Sequence, residues 1–531
     1  MKTSPPQETE LKLRLPGLRA EKAVLQALQQ HGYKINDLRI IRNADLYLDS
    51  YSWLLLKKKW ALRYRLANGQ AQYTLKSIGG VIDGLAQRDE IEVALKRPLN
   101  DPRNIPAKTI RDKVMSLIFP QKPTALLKVD TVRREYQVAT PDGAGLSLAF
   151  DCSAFSRAGK PTSVSNKKYY EMEAELKEGP VEALRRLQQD ITGAAEYSAA
   201  AESKFEYGLK LLKLAPFSRK TPAELTVRLD DTLAVALHKI ISAEFRWFQA
   251  QLEGLIEDYD PEFVHQARVT TRRMRSAIKV FKGAIDEDTG AYFSAELKLA
   301  AGMLGATRDI DVFKINLNVY QKQLDYFPDR VKQRLEKEID AVRLTPFKTL
   351  LNYLKSTRYK KFERRIESYI GRLADCLEQP EGEVTLGRFA PEIITRDWQA
   401  VIKQGAAVLA NPAMQKFHLL RIETKKLRYA AEFMAPAYQG ALAPFIQRTG
   451  EIQDCLGELQ DTVFTREFSR RLMQENQGSG DRSPVSFVLG EIYQYQAETA
   501  GERRATFKDI WERFTATETL NILQQAFSQP A

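Results

Sequence analysis

A chain of 531 residues with 80 Lys and Arg against 68 Asp and Glu carries a formal charge of +12. That length suits two or three domains, and that charge favours an anionic partner such as polyphosphate, nucleic acid or acidic lipid. Cys152, Cys376 and Cys455 are far apart and form no CxxC, which excludes a cysteine zinc site by spacing, argues against a disulfide framework and points to a reducing compartment. The opening MKTSPPQETELKLRL lacks the apolar core of a signal peptide, and no run of about 18 apolar residues follows. The expectation is a cytoplasmic protein with no membrane segment, and the interleaved acids argue against a simple nucleic-acid-binding tail.

Up to about residue 210 the dominant rhythm is two. Strands are expected at Glu8–Leu15, Ala61–Leu66, Ala71–Ile78, Asp89–Leu95, Thr131–Thr140, Leu146–Asp151 and Tyr169–Lys177. Turns at Asn68-Gly69, Gly79-Gly80 and Pro141-Asp142-Gly143 separate them, and helices are expected at Arg19–Gly32, Arg103–Phe119 and Val181–Ile191. So many punctuated strands predict an α+β domain over residues 1–213, with an antiparallel sheet closed or nearly closed into a barrel. Residues 214–221, with Pro216, read as a linker. Thr221-Pro222-Ala223-Glu224 has the pattern of a helix start, and helical periods continue to the end with breaks near Glu378–Pro391 and Gln477–Pro484. This predicts an all-α domain over 222–531, built from two similar bundles at about 222–377 and 392–531.

A basic helix occurs twice in the same register. His265, Arg268, Val269, Arg272, Arg273, Met274 and Arg275 match His418, Arg421, Ile422, Lys425, Lys426, Leu427 and Arg428 at an offset of 153 residues. Downstream, Leu304-Gly305 with Asp309 is echoed by Leu456-Gly457 with Asp461, so a helical unit is duplicated. Positions i, i+3, i+7 and i+10 of a helix lie within roughly 80° of one another, so each copy stacks one imidazole and three cations on a stripe. Like charges packed this way repel, and two such stripes make sense if an anion longer than one phosphate lies across them. The other reading is a pair of solvated helix faces, although solvated faces usually mix signs. His31 and His238 read as structural. His265 and His418 suit phosphate contact or a buried hydrogen bond better than metal ligation, because their neighbours are cations. For Arg308 with Asp309 and Asp311, a structural ion-pair cluster and a binding role stay open.

The strands carry charge on one face. Glu8, Glu10, Lys12 and Arg14 share a side; so do Arg63 with Arg65, Glu90 with Glu92, Arg133 with Glu135, and Glu171, Glu173, Glu175 with Lys177. Successive same-face glutamates disfavour one another, a cost that a divalent cation removes. Mg²⁺ and Mn²⁺ take carboxylate and phosphate oxygens, and Arg and Lys on facing strands would hold a polyanion. Periodicity alone leaves this charged tunnel and a merely wet sheet face as alternatives.

The motif order resembles a known family. Glu8-Thr9-Glu10-Leu11-Lys12 is similar to the ExExK signature of the CYTH, or triphosphate tunnel metalloenzyme, superfamily. It is followed in order by Tyr47-Leu48-Asp49, Leu62-Arg63-Tyr64-Arg65, Thr74-Leu75-Lys76, Arg88-Asp89-Glu90-Ile91-Glu92, Arg133 with Tyr136, Asp151, Glu171-Met172-Glu173-Ala174-Glu175 and Ser203-Lys204. The second half resembles CHAD, a histidine-containing helical domain, through His265…Arg275, Arg308-Asp309-Ile310-Asp311 and His418…Tyr429. The combination is similar to bacterial CYTH–CHAD proteins, some of which are inorganic triphosphatases.

The resemblance implies that Glu8, Glu10, Glu171 and Glu173, assisted by Glu175 or Asp151, ligate Mg²⁺ or Mn²⁺. Lys12, Arg63, Arg65, Lys76, Arg133 and Lys204 would grip the substrate, with Glu8, Glu10, Lys12, Glu171 and Glu173 as the catalytic set. It implies hydrolysis of inorganic triphosphate to pyrophosphate and phosphate by in-line attack of water, without a covalent intermediate. Inorganic polyphosphate is the expected partner of His265, Arg268, Arg272, Arg273, Arg275, His418, Arg421, Lys425, Lys426 and Arg428, with association with polyphosphate granules as a corollary. Thr131 stands where many relatives carry a base, and Asp151-Cys152-Ser153 lacks the glycine common after that aspartate. A polyphosphate-binding adaptor with weak catalysis, a CYTH-type adenylate cyclase and a thiamine triphosphatase stay open as alternatives.

Overall fold

The computed structural model of the protein describes residues 7–78, 81–82, 85–158, 167–200, 202–217, 224–372, 383–475 and 483–528. The chain divides into two compact units, one up to residue 218 and one from residue 219. Among the described residues no helix is long and apolar enough to cross a membrane.

The first unit is an antiparallel sheet of β1 (Gln7–Leu15), β2 (Lys34–Asp49), β3 (Trp60–Ala67), β4 (Gln70–Ser77), β5 (Val81–Ile82), β6 (Leu85–Leu95), β7 (Thr124–Ala139), β8 (Gly145–Arg157), β9 (Tyr169–Glu178) and β10 (Ser198–Ala199). Helices α1 (Arg19–Gln30), α2 (Leu54–Lys57), α3 (Lys108–Ile118), α4 (Glu182–Asp190) and α5 (Lys204–Leu211) decorate it. The strand order β1-β9-β8-β7-β2-β3-β4-β6 returns on itself through a β1–β6 pairing. The seam is staggered rather than uniformly closed. β6 uses its Leu85–Asp89 end for β1 and its Glu90–Leu95 end for β4.

The alternation is inside out relative to an ordinary small barrel. Leu11, Leu13, Leu146, Leu148, Met172 and Ala174 face outward and are buried under Val24 and Leu28 of α1 and Leu184 and Leu187 of α4. Leu62, Tyr64, Tyr73 and Leu75 are covered by Ile110, Val114 and Ile118 of α3. The charged faces are left to the lumen. One stretch of the interior is apolar: Phe205 and Leu209 of α5 pack on Leu127, Val129 and Phe155. Helix α5 begins at a capping box in which Ser203 and Glu206 satisfy each other's backbone N–H groups.

The 16-residue β2 is a strand that the period-two reading does not find. Asn36, Asp37, Asn43 and Asp45 give it poor strand propensity, and a register shift between Asn36 and Arg39 breaks its alternation. Pairing with β7 on one side and β3 on the other overrides both.

The second unit is all helical: α6 (Leu233–Ile256), α7 (Pro261–Val280), α8 (Glu287–Gln323), α9 (Asp329–Lys355), α10 (Thr357–Gly371), α11 (Leu386–Ala410), α12 (Met414–Met434), α13 (Ala443–Glu475), α14 (Ser483–Thr515) and α15 (Thr517–Phe527). Residues 221–223 of the expected helix start lie outside the described residues. Helix α6 starts later, capped by Thr232, whose side chain accepts from Val235 N–H. Pro391 lies inside α11 rather than in the break before it.

The repeat is visible in the helix bounds. α6 and α11 start 153 residues apart, as do α7 and α12. Thr232 and Thr385, also 153 apart, form an antiparallel bridge to each other. Equivalent residues that pair with one another mark a local two-fold axis, as in an isologous dimer contact. Backbone bonds from Leu386 N to Asp231 O (2.8 Å) and Gly387 N to Leu229 O (2.9 Å) extend the join. The halves also share a core, in which Phe313 and Leu317 meet Phe468, Leu472 and Ile492.

Gly208 couples α5 to the sheet. A Cβ there would lie 2.5 Å from Leu127 Cδ2 and 2.7 Å from Phe155 Cδ1. Gly208→Ala should therefore lower stability by about 1–3 kcal/mol, the usual cost of overpacking, read as a drop in the denaturation midpoint of the first unit.

Candidate functional site

Cross-strand register builds the polar lumen of the first unit. Lys12 of β1 pairs with Glu173 of β9, Glu171 with Asp151 of β8, and Asp151 with Arg133 of β7. Asp151, Glu171 and Glu173 each present a carboxylate oxygen within 4.8 Å of the others'. Lys204, the first residue of α5, reaches all three: 2.7 Å to Asp151, 2.5 Å to Glu171 and 3.0 Å to Glu173. Lys12 lies 2.8 Å from Glu173 and 3.3 Å from Glu10. Arg133 grips Asp151 with two bonds of 2.8 Å and also bonds Glu173.

Proton affinities split across this cluster. Burial works against the charge on Glu173, but Lys12, Lys204 and Arg133 overcome it and hold the carboxyl well below its usual range. Burial raises Glu171, offset by Lys204 and reinforced by the Glu173 charge. Asp151, equally buried, is held low by Lys204 and Arg133. Carboxyls pushed apart in one site are the pattern expected where acid and base roles divide.

Glu10, Lys12, Arg133, Asp151, Glu173 and Lys204 line a cavity of about 220 Å³ together with Asp45, Arg63, Arg65, Thr74, Lys76, Glu90 and Glu92. Arg65 holds Asp45 through two bonds of 2.7 and 2.8 Å. Arg63 donates to Thr74 (3.1 Å), and Lys76 pairs with Glu90 (2.9 Å).

The second unit gathers a different kind of site. Helices α7 and α12 pack against each other, so the two basic stripes converge. Arg268 and Arg272 from one copy act electrostatically on Arg421 and Lys425 from the other. Arg308 joins beside His265. Arg268 has a carboxylate, Asp309, at 2.9 Å. Arg272, Arg275, Arg308, Arg421 and Lys425 form no ion pair among the described residues. The buried Nε atoms of Arg275 and Arg421 have no hydrogen-bond partner. Burial, then mutual repulsion, lowers the proton affinity of Arg275, Arg421 and Lys425. Cations partly or wholly buried without an ion pair are costly, and the arrangement could accept an anion.

Residues 6–207 match the CYTH domain and residues 239–470 match the CHAD domain. The chain joins a CYTH domain to a CHAD domain. It is 24% identical over 469 residues to uncharacterized proteins of two Mycobacterium tuberculosis strains, covering 86% of each chain. Among solved structures, the CHAD domain of the plant Ricinus communis aligns at 23% identity with a TM-score of 0.45, covering 56% of this chain and 96% of that one. A Hippeastrum adenylyl cyclase candidate with a dominant triphosphatase activity aligns at 23% identity with a TM-score of 0.30, covering 38% and 95%.

In the CYTH domain the structure brings together Glu10, Lys12, Arg63, Arg65, Lys76, Arg133, Glu173, Glu175 and Lys204 around one cavity, with Asp151 and, against Lys204, Glu171. Glu175 sits apart from the three clustered carboxylates, paired with Lys177 at 2.7 Å. The backbone of Glu8 pairs with Arg88, and its side chain lies outside the described residues. Asp45 is a charged lumen residue absent from the sequence expectation. Its signal was the alternation Asp45, Tyr47, Asp49 just before the Arg63–Arg65 strand.

In the CHAD domain five of the ten expected phosphate contacts have protein partners among the described residues: Arg268 as above, and Arg273, Lys426, Arg428 and His418. Arg273 bonds Glu244 of α6 at 2.6 Å and Glu432 of α12. Its repeat equivalent, Lys426, pairs with Asp397 of α11 at 3.0 Å, and Asp397 is the repeat equivalent of Glu244. Position i+8 thus ties each basic helix to the helix before it. Arg428 pairs with Glu432 at 2.7 Å. His418 Nδ1 donates to Gln460 (3.0 Å), and buried His238 donates through Nε2 to the Tyr369 carbonyl (2.7 Å). Exposed His31 lies 3.7 Å from Asp190. The Arg308 cluster separates: Asp309 meets Arg268, while Asp311 joins Asp258 on buried Arg343.

The contrast makes a paired test. Arg273→Met leaves Glu244 without its cation and Glu432 with Arg428 alone, and should cost about 3–5 kcal/mol. Arg272→Met removes a charge that only repels its neighbours, so its thermal midpoint should match or exceed that of the parent; equal losses in the two variants would contradict this division.

Proposed function

We propose that the CYTH domain hydrolyses inorganic triphosphate to pyrophosphate and phosphate with Mg²⁺ or Mn²⁺, and that the CHAD domain holds inorganic polyphosphate. The observation that carries the first half is the Asp151–Glu171–Glu173 cluster, with oxygens within 4.8 Å of each other, at a cavity lined by Lys12, Arg63, Arg65, Lys76, Arg133 and Lys204 alternating with further acids. An all-carboxylate donor set fits a hard divalent cation. Asp151, Glu171 and Glu173 would hold it, with Glu10 one contact away through Lys12. Once bound, such an ion offsets charge on phosphate oxygens and makes water more acidic.

The protein's own groups supply the rest. Lys12, Arg133 and Lys204 stand on the carboxylates and reach phosphate oxygens by changing partner. Arg63, Arg65 and Lys76 take the remainder of the chain, with Asp45 orienting the Arg65 fork. Glu171, where the ion does not engage it, is the carboxylate that would take a proton from attacking water. Clamping both ends of the chain aligns the terminal phosphorus for in-line displacement.

Glu173→Gln should reduce triphosphate hydrolysis at least ~100-fold, the scale of losing one preorganised charge from a reacting site, with polyphosphate binding by the same protein unchanged. Phosphate release is the readout, and parental turnover in Glu173→Gln would end the metal assignment. Cyclic AMP formed from ATP and Mn²⁺ without phosphate release would replace triphosphatase by cyclase. Charge removal at Arg268, Arg272 and Arg421 together should weaken polyphosphate retention and flatten its dependence on salt, as loss of counterion release predicts. Retention unaltered by the triple change would dismiss the CHAD half of the reading.

A further inference from the structure

Lys425 stands apart from the other cations of the CHAD basin. It is 9% exposed and its ammonium has no hydrogen-bond or ion-pair partner among the described residues. Arg268 and Arg272 of α7 and Arg421, one turn earlier on α12, act on it, with Asp461 of α13 as the opposing charge. Helix α11, also packed on α12, presents Asp397, which Lys426 and Arg396 already hold.

The duplication sharpens the point. The equivalent of Lys425 in the first copy is Arg272. A guanidinium stays charged in any protein environment, whereas an amine gives up its proton when desolvated among cations. The second copy has therefore placed a titratable group where the first keeps a permanent charge, and has buried it more deeply. Burial first, and then Arg272, Arg421 and Arg268, push the amine down to about 6, so it is largely neutral above that pH.

We infer that anion binding in this basin is coupled to the uptake of one proton by Lys425. The inference rests on the polyphosphate reading and adds a pH dependence to it. Phosphate oxygens entering among Arg268, Arg272 and Arg421 cancel the repulsion that holds the amine neutral, and they favour its ammonium form. Affinity should then fall as pH rises between the amine's free and anion-bound values, by up to about tenfold per pH unit. His265 is a second group there that gains a proton in the same direction, since burial and then Arg308 hold it low.

Calorimetric titration of the full-length protein with long-chain polyphosphate near pH 7.5, in two buffers of different ionisation enthalpy, counts the protons. The parent should take up close to one per site. Lys425→Arg, which restores the residue of the first copy, should bind with that uptake abolished and with a flatter pH profile. Lys425→Met, uncharged at every pH, gives the same reading if the larger head does not fit. Uptake that is equal in parent and variants, or that survives Lys425→Arg and disappears in His265→Gln, overturns the inference and leaves the anion site standing. No binding by the parent overturns the site and the inference together.

Discussion

Side chains alternate along a strand, so a sheet domain has to choose which face meets its apolar core. In the CYTH domain the apolar face turns outward beneath α1, α3 and α4, and the charged face is left to close on itself. Carboxylates brought within a few ångströms of each other cannot stay ionised without cations among them. The lumen meets that condition by interleaving: Lys12 and Lys204 bridge acids, while Arg133 spans Asp151 and Glu173. The consequence is interdependence, because each cation serves two or three acids, and losing Lys12 or Lys204 leaves Glu10 or Glu171 without its cation.

The CHAD domain solves the opposite problem incompletely. Charges with a structural task are paired: Arg273 with Glu244 and Glu432, Lys426 with Asp397, Arg343 with Asp258 and Asp311. Arg272, Arg308, Arg421 and Lys425 are not. Repulsion stored at one place in an otherwise well-compensated bundle is the usual sign that stability has been traded for binding. The two domains thus handle charge differently, one balancing it internally and one leaving cations without ion pairs among the described residues.

Much of the lumen was legible because a strand has only two faces. Once Leu11 and Leu13 or Met172 and Ala174 are assigned to the core, Glu10, Lys12, Glu171 and Glu173 follow by parity. Asp45 was not legible, because its partner Arg65 is fixed by the pairing of β2 with β3, and β2 hides behind asparagines, aspartates and a register shift. A helix face is coarser. Arg273 and Lys426 belong to the basic run in sequence, yet at i+8 they rotate toward α6 and α11, and nothing local shows that Glu244 and Asp397 wait there. The strip of backbone joining Thr232 to Thr385 leaves no trace in composition or period.

That strip has a consequence for how the protein can vary. In an assembly of two identical chains, any substitution beside the symmetry axis appears on both sides at once. Here the two sides are separate stretches of one gene product, held face to face by Thr232 and Thr385, and each can drift alone. A lysine opposite an arginine, or Gln460 where the other copy has Arg308, makes the two sides of the basin chemically different, which two identical chains about an axis could not be.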